Sequence, residues 1–294
     1  MDRTDAVVDV IEGQAFPRSE EVGCPICGER RPSRRVAVRY GQVAMVAECP
    51  DCRIEFQTPR PSAEASLAYM NWRWRCSDAY VGNVRSQSRR ARRQVRYVEK
   101  CSGRPGKLVD FGAGAGSFVR AALDRGWDAT GIETSDSAIA RAREFHRVEL
   151  HKEFPDERYD VATLWDVIEH LRDLQGTLRT VAEHLVDGGL LFIETGNVEH
   201  WLRSVEKDRW PLYLFDHQFY FSPSSLEQVL RRAGYDAFRL LRVNHSYPSL
   251  SPKRLVQHPL RVVQSWRAWA QARAKWPAHG DIDLMVAVAR KTPS

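Results

Sequence analysis

Apolar and polar positions divide the chain into a β-rich start, a helical middle and a remainder in which strand and helix patterns alternate. Residues 35–39 and 42–47 read as a short hairpin with Tyr40-Gly41 at its tip. Residues 61–100 lack strand alternation and carry helix formers. Pro61-Ser62 can start one helix, running through Leu67 and Met70. A second runs from about residue 78 to residue 100, with Val84, Ala91, Val95 and Val98 near one face. Gly103-Arg-Pro-Gly106 then breaks the chain. Lys107-Leu-Val-Asp110-Phe follows as a short buried-strand pattern, then the turn Gly112-Ala-Gly114-Ala-Gly116. Phe118, Ala121, Ala122 and Leu123 mark a helix ending near Gly126, and the next strand runs from Trp127 to Ile132. Near the end, Ser222-Pro-x-Ser225 starts a helix through Leu230 and Ala233, closed by Gly234. Strands are expected at 236–244 and 283–291. Strands alternating with helices predict an α/β fold with a largely parallel sheet.

The length of 294 residues and a 43% hydrophobic content suffice for a large core, which excludes intrinsic disorder as the default. The first residues are acidic and lack an apolar h-region, and no apolar stretch approaches the ~20 residues needed to span a bilayer. A cytoplasmic protein is expected. The formal charge is +6, with 37 Arg against 7 Lys. That imbalance reflects a GC-rich coding sequence as readily as a selected surface, so it argues only weakly for nucleic acid. In the second helix Arg85, Arg89, Arg92 and Arg96 align as a basic stripe, which could meet phosphates or be a solvated face.

Four of the six cysteines fall into two C-x-x-C pairs, Cys24/Cys27 and Cys49/Cys52, with 21 residues between the pairs. Two intervening residues let both thiolates of a knuckle reach one ion, and a second pair completes a tetrahedron. With the hairpin between the pairs this is zinc-ribbon architecture. Four protein ligands leave no open position for a water nucleophile, so structural zinc is expected.

The strand, glycine turn and following helix around residues 107–123 are what a Rossmann-type nucleotide site requires. Dinucleotide sites space their glycines G-x-G-x-x-G so that helix amides hold a pyrophosphate. Here the spacing is G-x-G-x-G, with Asp110 before it. That suits a ligand carrying a carboxylate and an ammonium. The next strand ends at Glu133, whose carboxylate can accept hydrogen bonds from both ribose hydroxyls. Together these residues point to S-adenosylmethionine as cofactor.

Residues 108–118 resemble motif I of class I S-adenosylmethionine-dependent methyltransferases, and Gly131-Ile-Glu133 resembles the acidic end of their second strand. Tyr159-Asp-Val-Ala-Thr-Leu-Trp-Asp166-Val-Ile-Glu169-His170-Leu171 resembles the fourth-strand signature of the ubiquinone-biosynthesis O-methyltransferase-like group. Asp187-Gly-Gly-Leu-Leu-Phe-Ile-Glu194-Thr is similar to their fifth strand. Trp210-Pro and His217-Gln-Phe-Tyr-Phe-Ser222-Pro-x-Ser225-Leu resemble a stretch of bacterial members that carry an N-terminal zinc ribbon. The resemblance covers roughly residues 20–245 plus the last strand. It implies a Rossmann-like seven-stranded sheet with helices on both faces. It also implies cofactor contacts at Asp110, Gly112, Ala113, Gly114, Gly116, Glu133, Thr134, Trp165, Asp166 and Val167. The third-strand residue that meets the adenine is harder to place, with Lys152, Glu153 and Phe154 as candidates.

Methyl transfer from a sulfonium needs a positioned acceptor and often a base for its proton. Ligands in open α/β sheets bind beyond the carboxyl ends of the strands, and Glu169 and His170 follow the fourth strand directly. His170 and His217 are the base candidates, with Glu169 beside them and Tyr220 behind; each could instead serve structure. In the similar O-methyltransferases the Glu-His pair lies near a divalent metal. The expected organisation is a tail (1–20), a zinc ribbon (21–60), a helical connector (61–104) and a methyltransferase domain (105–294) with a helical insertion at about 246–280. The insertion holds a basic helix with Trp266 and Trp269, and could be a lid, a homodimer contact or an interfacial membrane helix. The expected reaction methylates a small molecule, on a hydroxyl oxygen of a secondary-metabolite or sugar-type substrate. Two alternatives stay open: an RNA methyltransferase that uses the ribbon and the arginine stripe, and a non-catalytic binding module.

Overall fold

The computed structural model describes residues 7–11, 14–30, 32–39, 42–76, 84–200, 203–204, 207, 210, 212–241 and 284–293. The basic helix expected within 246–280, and any dimer contact through it, lie outside these residues.

A six-stranded sheet forms the centre, ordered β12-β13-β10-β9-β7-β8. Its strands are β7 (Lys107–Phe111), β8 (Asp128–Ile132), β9 (Tyr159–Trp165), β10 (Leu185–Gly196), β12 (Tyr235–Leu241) and β13 (Leu284–Lys291). Strands β8, β7, β9 and β10 run parallel, and β13 is antiparallel to both of its neighbours. The central strands are apolar on both faces, as a sheet covered on both sides must be. Leu108, Val161, Phe192 and Val288 pack with Ala91, Val95 and Val98 of α2 (Val84–Ser102) and with Phe118 and Ala122 of α3 (Ser117–Leu123). Val109, Ala162, Leu191, Ile193 and Ala287 point the other way, toward α5 (Leu174–Glu183) and α6 (Pro223–Arg232). Alternation of period two thus supplies both cores.

Seven strands were expected, and six are present among the described residues. At the place of the missing strand, beyond β8, the chain after α4 (Asp136–Arg141) makes a single parallel bridge from His151 to Ile132. The segment leading there is one π-helical turn (Ala142–His146), which ends with Arg147 at a φ of 53°. Pro155 follows four residues after the bridge, has no N–H to donate, and cannot extend a ladder.

Residues expected as a tail form a hairpin instead. Strands β1 (Val7–Ile11) and β2 (Gln14–Glu20) pair antiparallel, and β2 pairs with β6 (Arg60–Pro61). The predicted hairpin of the ribbon is β3 (Ser33–Arg39) and β4 (Gln42–Glu48), in register from Ser33↔Glu48 to Arg39↔Gln42. β5 (Glu55–Gln57) adds to β4, and β11 (Phe219–Tyr220) adds to β5. A strand that follows β10 in the chain therefore completes the ribbon's sheet. Ahead of the central sheet, α1 (Ala63–Cys76) precedes α2. No helix among the described residues is long and apolar enough to cross a membrane.

Candidate active site

The carboxyl ends of β7, β8 and β9 border a cavity of roughly 430 Å³, roofed by Met70 of α1 and by Gln87, Arg90 and Gln94 of α2. Its floor is the glycine turn. Gly112, Gly114 and Gly116 have φ of 76°, 55° and 76°, in the left-handed region that costs glycine least. The N–H groups of Gly112 and Ala113 both donate to the Ile132 carbonyl at 2.9 Å, tying the turn to the end of β8. A Cβ on Gly112 would stand 2.5 Å from a Val167 methyl, so the floor admits no side chain there.

Glu133 sits at the end of β8, almost fully buried. One carboxylate oxygen accepts from the Gly114 N–H at 2.9 Å and the other from the Ser135 N–H at 2.8 Å. An ionised carboxylate has about four acceptor positions. Two amides leave the other two for a diol. Asp110 is also buried and accepts a 2.7 Å hydrogen bond from the Thr163 hydroxyl. Burial, reinforced by the Glu133 charge and opposed by the Thr163 bond, raises its pKa to about 7 from an ordinary 3.8. A cation brought beside it would restore the charge.

All ten residues expected at the cofactor border the cavity except Gly116, which lies under the turn against Ala142. Lys152, Glu153 and Phe154 do not line it. Lys152 pairs with Asp136 at 2.7 Å, and Phe154 stacks between Phe111 and His184. Of the arginine stripe, Arg89, Arg92 and Arg96 are exposed. The inward cation is Arg90, one residue off that stripe. It donates to Asp166 at 2.5 Å and to the buried Glu194 carboxylate. Burial works against its charge, but Asp166 and Glu194 outweigh it and raise its pKa. Glu194 is itself pushed up by burial.

The catalytic candidates separate. His170 follows β9 on a short 3₁₀ turn (Ile168–His170) and lines the cavity with Asp216. Its Nδ1 lies 2.9 Å from the Asp216 carbonyl. A carbonyl only accepts, so this contact places a proton on Nδ1. Glu169 is buried behind the wall, accepts from the Thr195 hydroxyl at 2.9 Å, and is held above the usual carboxylate range by burial and by Asp166. His217 is buried with its ring 4.7 Å from that of His170 in a T-shaped contact. Glu169, His170 and His217 each offer one ligand-type atom within 4.8 Å of the others, a spacing one cation could bridge. Tyr220 does not line the cavity; its ring lies behind His217, 6.4 Å from it. It packs with Trp210, Tyr213 and Val46 at the ribbon, and its hydroxyl accepts from Gln57 at 2.9 Å.

Residues 80–240 match the model of the methyltransferase domain family, just over half of the chain. The chain belongs to that family. It is an S-adenosylmethionine-dependent methyltransferase. It is similar to the ubiquinone biosynthesis O-methyltransferase of Nitrosospira multiformis, 27% identical over 172 residues, covering 51% of this chain and 71% of that protein. The Pseudomonas aeruginosa protein of that name is 26% identical over 175 residues, covering 52% and 75%. Among solved structures, a chain from the complex between a Haloferax volcanii methyltransferase activator and its methyltransferase matches with a TM-score of 0.53 at 16% identity. That match covers 72% of this chain and 95% of the other, and shows the shared fold.

In this methyltransferase the four expected metal cysteines meet. The Sγ atoms of Cys24, Cys27, Cys49 and Cys52 lie within 4.8 Å of one another, and those of Cys27 and Cys49 are 3.6 Å apart. The amides of Ile26 and Cys52 donate to the sulfurs of Cys24 and Cys49, each at 3.4 Å, as knuckle backbones do around thiolates. Burial pushes the Cys24 and Cys52 thiols up, so two buried sulfurs would not ionise without a cation. This donor set fits zinc. The knuckle's core is continuous with the catalytic domain: Cys24, Cys49 and Cys52 share a cluster with Phe221, Leu226 and Val229. Arg232 donates to the Ile26 carbonyl and Gln228 to that of Cys52.

Three residues at the site escape sequence reasoning: Arg90, Gln94 and Asp216. Arg90 and Gln94 had a signal, an i, i+4 pair on the apolar side of an arginine-rich helix. Asp216 meets His170 through a contact remote in sequence and had none.

Proposed function

We propose that this enzyme transfers the methyl group of S-adenosylmethionine to a hydroxyl oxygen of a small-molecule acceptor, of secondary-metabolite or sugar type. The observation that carries the reading is the Nδ1–H of His170 held by the Asp216 carbonyl, which leaves Nε2 as a proton acceptor on the cavity wall. When bound, the cofactor supplies a methyl on a sulfonium, open to in-line displacement. The chain's own residues do the rest. Glu133 accepts from the ribose hydroxyls, and Asp110 faces the ammonium across the glycine turn. Arg90, balanced between Asp166 and Glu194, holds the roof of α2 against the ends of β9 and β10. His170 takes the acceptor's proton as the oxygen becomes nucleophilic. The names of the relatives, O-methyltransferases, support oxygen as the acceptor atom. The four cysteines hold a structural zinc with no open position, and the molecule divides into a ribbon at 21–60, a connector at 61–104 and the catalytic domain beyond.

Radiolabelled cofactor offered with a panel of phenolic and sugar hydroxyls should give an O-methylated product, lost in His170→Ala with S-adenosylhomocysteine binding retained. Unchanged turnover in that variant refutes His170 as base. A second reading has the Glu169, His170 and His217 atoms binding a divalent cation that polarises the acceptor oxygen, and their 4.8 Å spacing favours it. Turnover abolished by a chelator and restored by magnesium would select it. Copurifying RNA, or an RNA affinity falling steeply with salt, would select the RNA alternative instead.

A further inference from the structure

Gln57 ends β5, the last strand the ribbon contributes to its own sheet, and is fully buried. Its Nε2 donates to the Leu214 carbonyl at 2.8 Å, to the Tyr220 hydroxyl at 2.9 Å and to the His217 carbonyl, with the Phe215 carbonyl at 3.5 Å. Three of these four partners are main-chain carbonyls, which only accept, so the group facing them must be the amide nitrogen. The Gln57 backbone N–H also donates to the Gln218 carbonyl at 2.9 Å. Arg60, three residues on, donates to Gln218 Oε1 and to the Arg172 carbonyl, each at 3.0 Å. The stretch 214–220 is thus wound around one ribbon side chain. It has almost no regular structure of its own beyond the two-residue β11.

That same stretch carries the wall of the cavity. Asp216 supplies the carbonyl that holds His170 Nδ1, and its carboxylate stands 3.5 Å from the same nitrogen. His217 supplies the ring packed edge-on to His170. Gln218 donates from its backbone to the Glu169 carbonyl at 2.7 Å and from its side chain to the His170 carbonyl at 3.4 Å.

We propose that Gln57 is the positioning residue of the active-site wall: from the ribbon, its buried carboxamide fixes the loop whose Asp216 carbonyl orients the His170 ring and sets which nitrogen carries the proton. The ribbon is then part of the catalytic apparatus as well as a clip. A glutamate at position 57 would face acceptors with an acceptor, and a leucine would leave carbonyls that have lost their donor. In either case the loop must move to find other partners, and His170 loses its fixed acceptor.

This inference rests on His170 facing the acceptor, but its test does not need turnover. Long-range proton–nitrogen spectra of the full chain at one fixed pH, with the His170 signals assigned by their loss in His170→Ala, read the proton's position directly. Wild type should show a protonated Nδ1 and an unprotonated Nε2. Gln57→Leu should show the two nitrogens averaged or the proton on Nε2, with S-adenosylhomocysteine binding unchanged, and Gln57→Asn should fall between. A Gln57→Leu protein that binds S-adenosylhomocysteine and keeps the wild-type His170 pattern overturns the proposal. If neither variant folds, hydrogen exchange in the native protein decides. The Gln57 side-chain amide protons should exchange as slowly as core amides, and fast exchange overturns the proposal. Full turnover in His170→Ala would remove the base assignment while leaving these spectra interpretable.

Discussion

Asp110 offers the sharpest quantitative test, because its charge state is set by the fold and should be reset by the ligand. A carboxyl held at about 7 instead of 3.8 is roughly one-tenth ionised at pH 6 and nine-tenths ionised at pH 8. If the ligand's ammonium binds only the ionised form, the affinity for S-adenosylhomocysteine should rise roughly tenfold across that interval, with a proton released on binding at pH 6. Asp110→Asn removes the titrating group, so its affinity should be weaker and flat over the same range. Thr163→Val removes the bond that favours the charged form and should move the wild-type midpoint upward. Stability must show the opposite trend. The folded-state pKa is raised, so the contribution of this carboxyl is fully present below about 3.8 and is lost as pH rises through about 7. The full loss is on the order of 4 kcal/mol. Asp110→Asn should therefore melt above wild type at pH 8, with the gap shrinking toward pH 5. Glu169 shifts in the same direction in both proteins and cancels from the difference. Calorimetric titration in buffers of different ionisation enthalpy measures affinity and proton release together. A wild-type affinity that changes less than about twofold between pH 6 and pH 8, or an Asn variant with the same profile, refutes the reasoning.

Glu133→Ala should weaken S-adenosylhomocysteine binding by roughly 30- to 300-fold, the loss of about 2–3.5 kcal/mol of bonds to a charged acceptor. A ligand lacking the ribose hydroxyls should bind wild type and variant alike, and a full loss with that ligand as well would place Glu133 elsewhere. Gly112→Ala should destabilise the fold and abolish binding, since its Cβ would stand 2.5 Å from Val167 at a φ of 76°. Gly112→Ala/Val167→Ala should recover only part of the loss, the backbone strain remaining; full recovery would remove the strain argument. Elemental analysis should find one zinc per chain, lost in Cys49→Ser with a lowered melting temperature; a metal-free wild type refutes the knuckle.

The cofactor half of the site was legible because it is local. Strand, glycine turn and the acid after the next strand occupy residues 107–134, and their placement follows from spacing. The cysteine knuckle was legible for the same reason. Counting every third or fourth arginine found the exposed stripe on α2, yet the arginine that matters shares the apolar side with Gln94 and Val95. A helix-period count is built to reveal one face at a time. The acceptor half was read only in part. His170 was visible from its place after β9, whereas Asp216 joins it across 46 residues and Gln57 reaches Tyr220 across 163. The short segment before Pro155 left the third strand ambiguous, and it proved to be a single bridge.

The pairing of β5 with β11 also bears on how the molecule is made. Gln57 and Tyr220 are 163 residues apart, so the ribbon emerges from the ribosome long before the strand that completes its sheet. Until residues 219–220 arrive, β5 is an open edge and the Gln57 carboxamide has none of its partners in the 214–220 stretch. At a synthesis rate of about 5–20 residues per second, that interval lasts on the order of ten to thirty seconds. During it the knuckle can gather metal but cannot bury its last strand. Contacts of such separation slow folding, and they join the amino-terminal module and the carboxyl-terminal half into one cooperative event. A fragment ending before residue 219 should hold metal with a frayed edge, and a chain missing the ribbon should lack an ordered 214–220 loop.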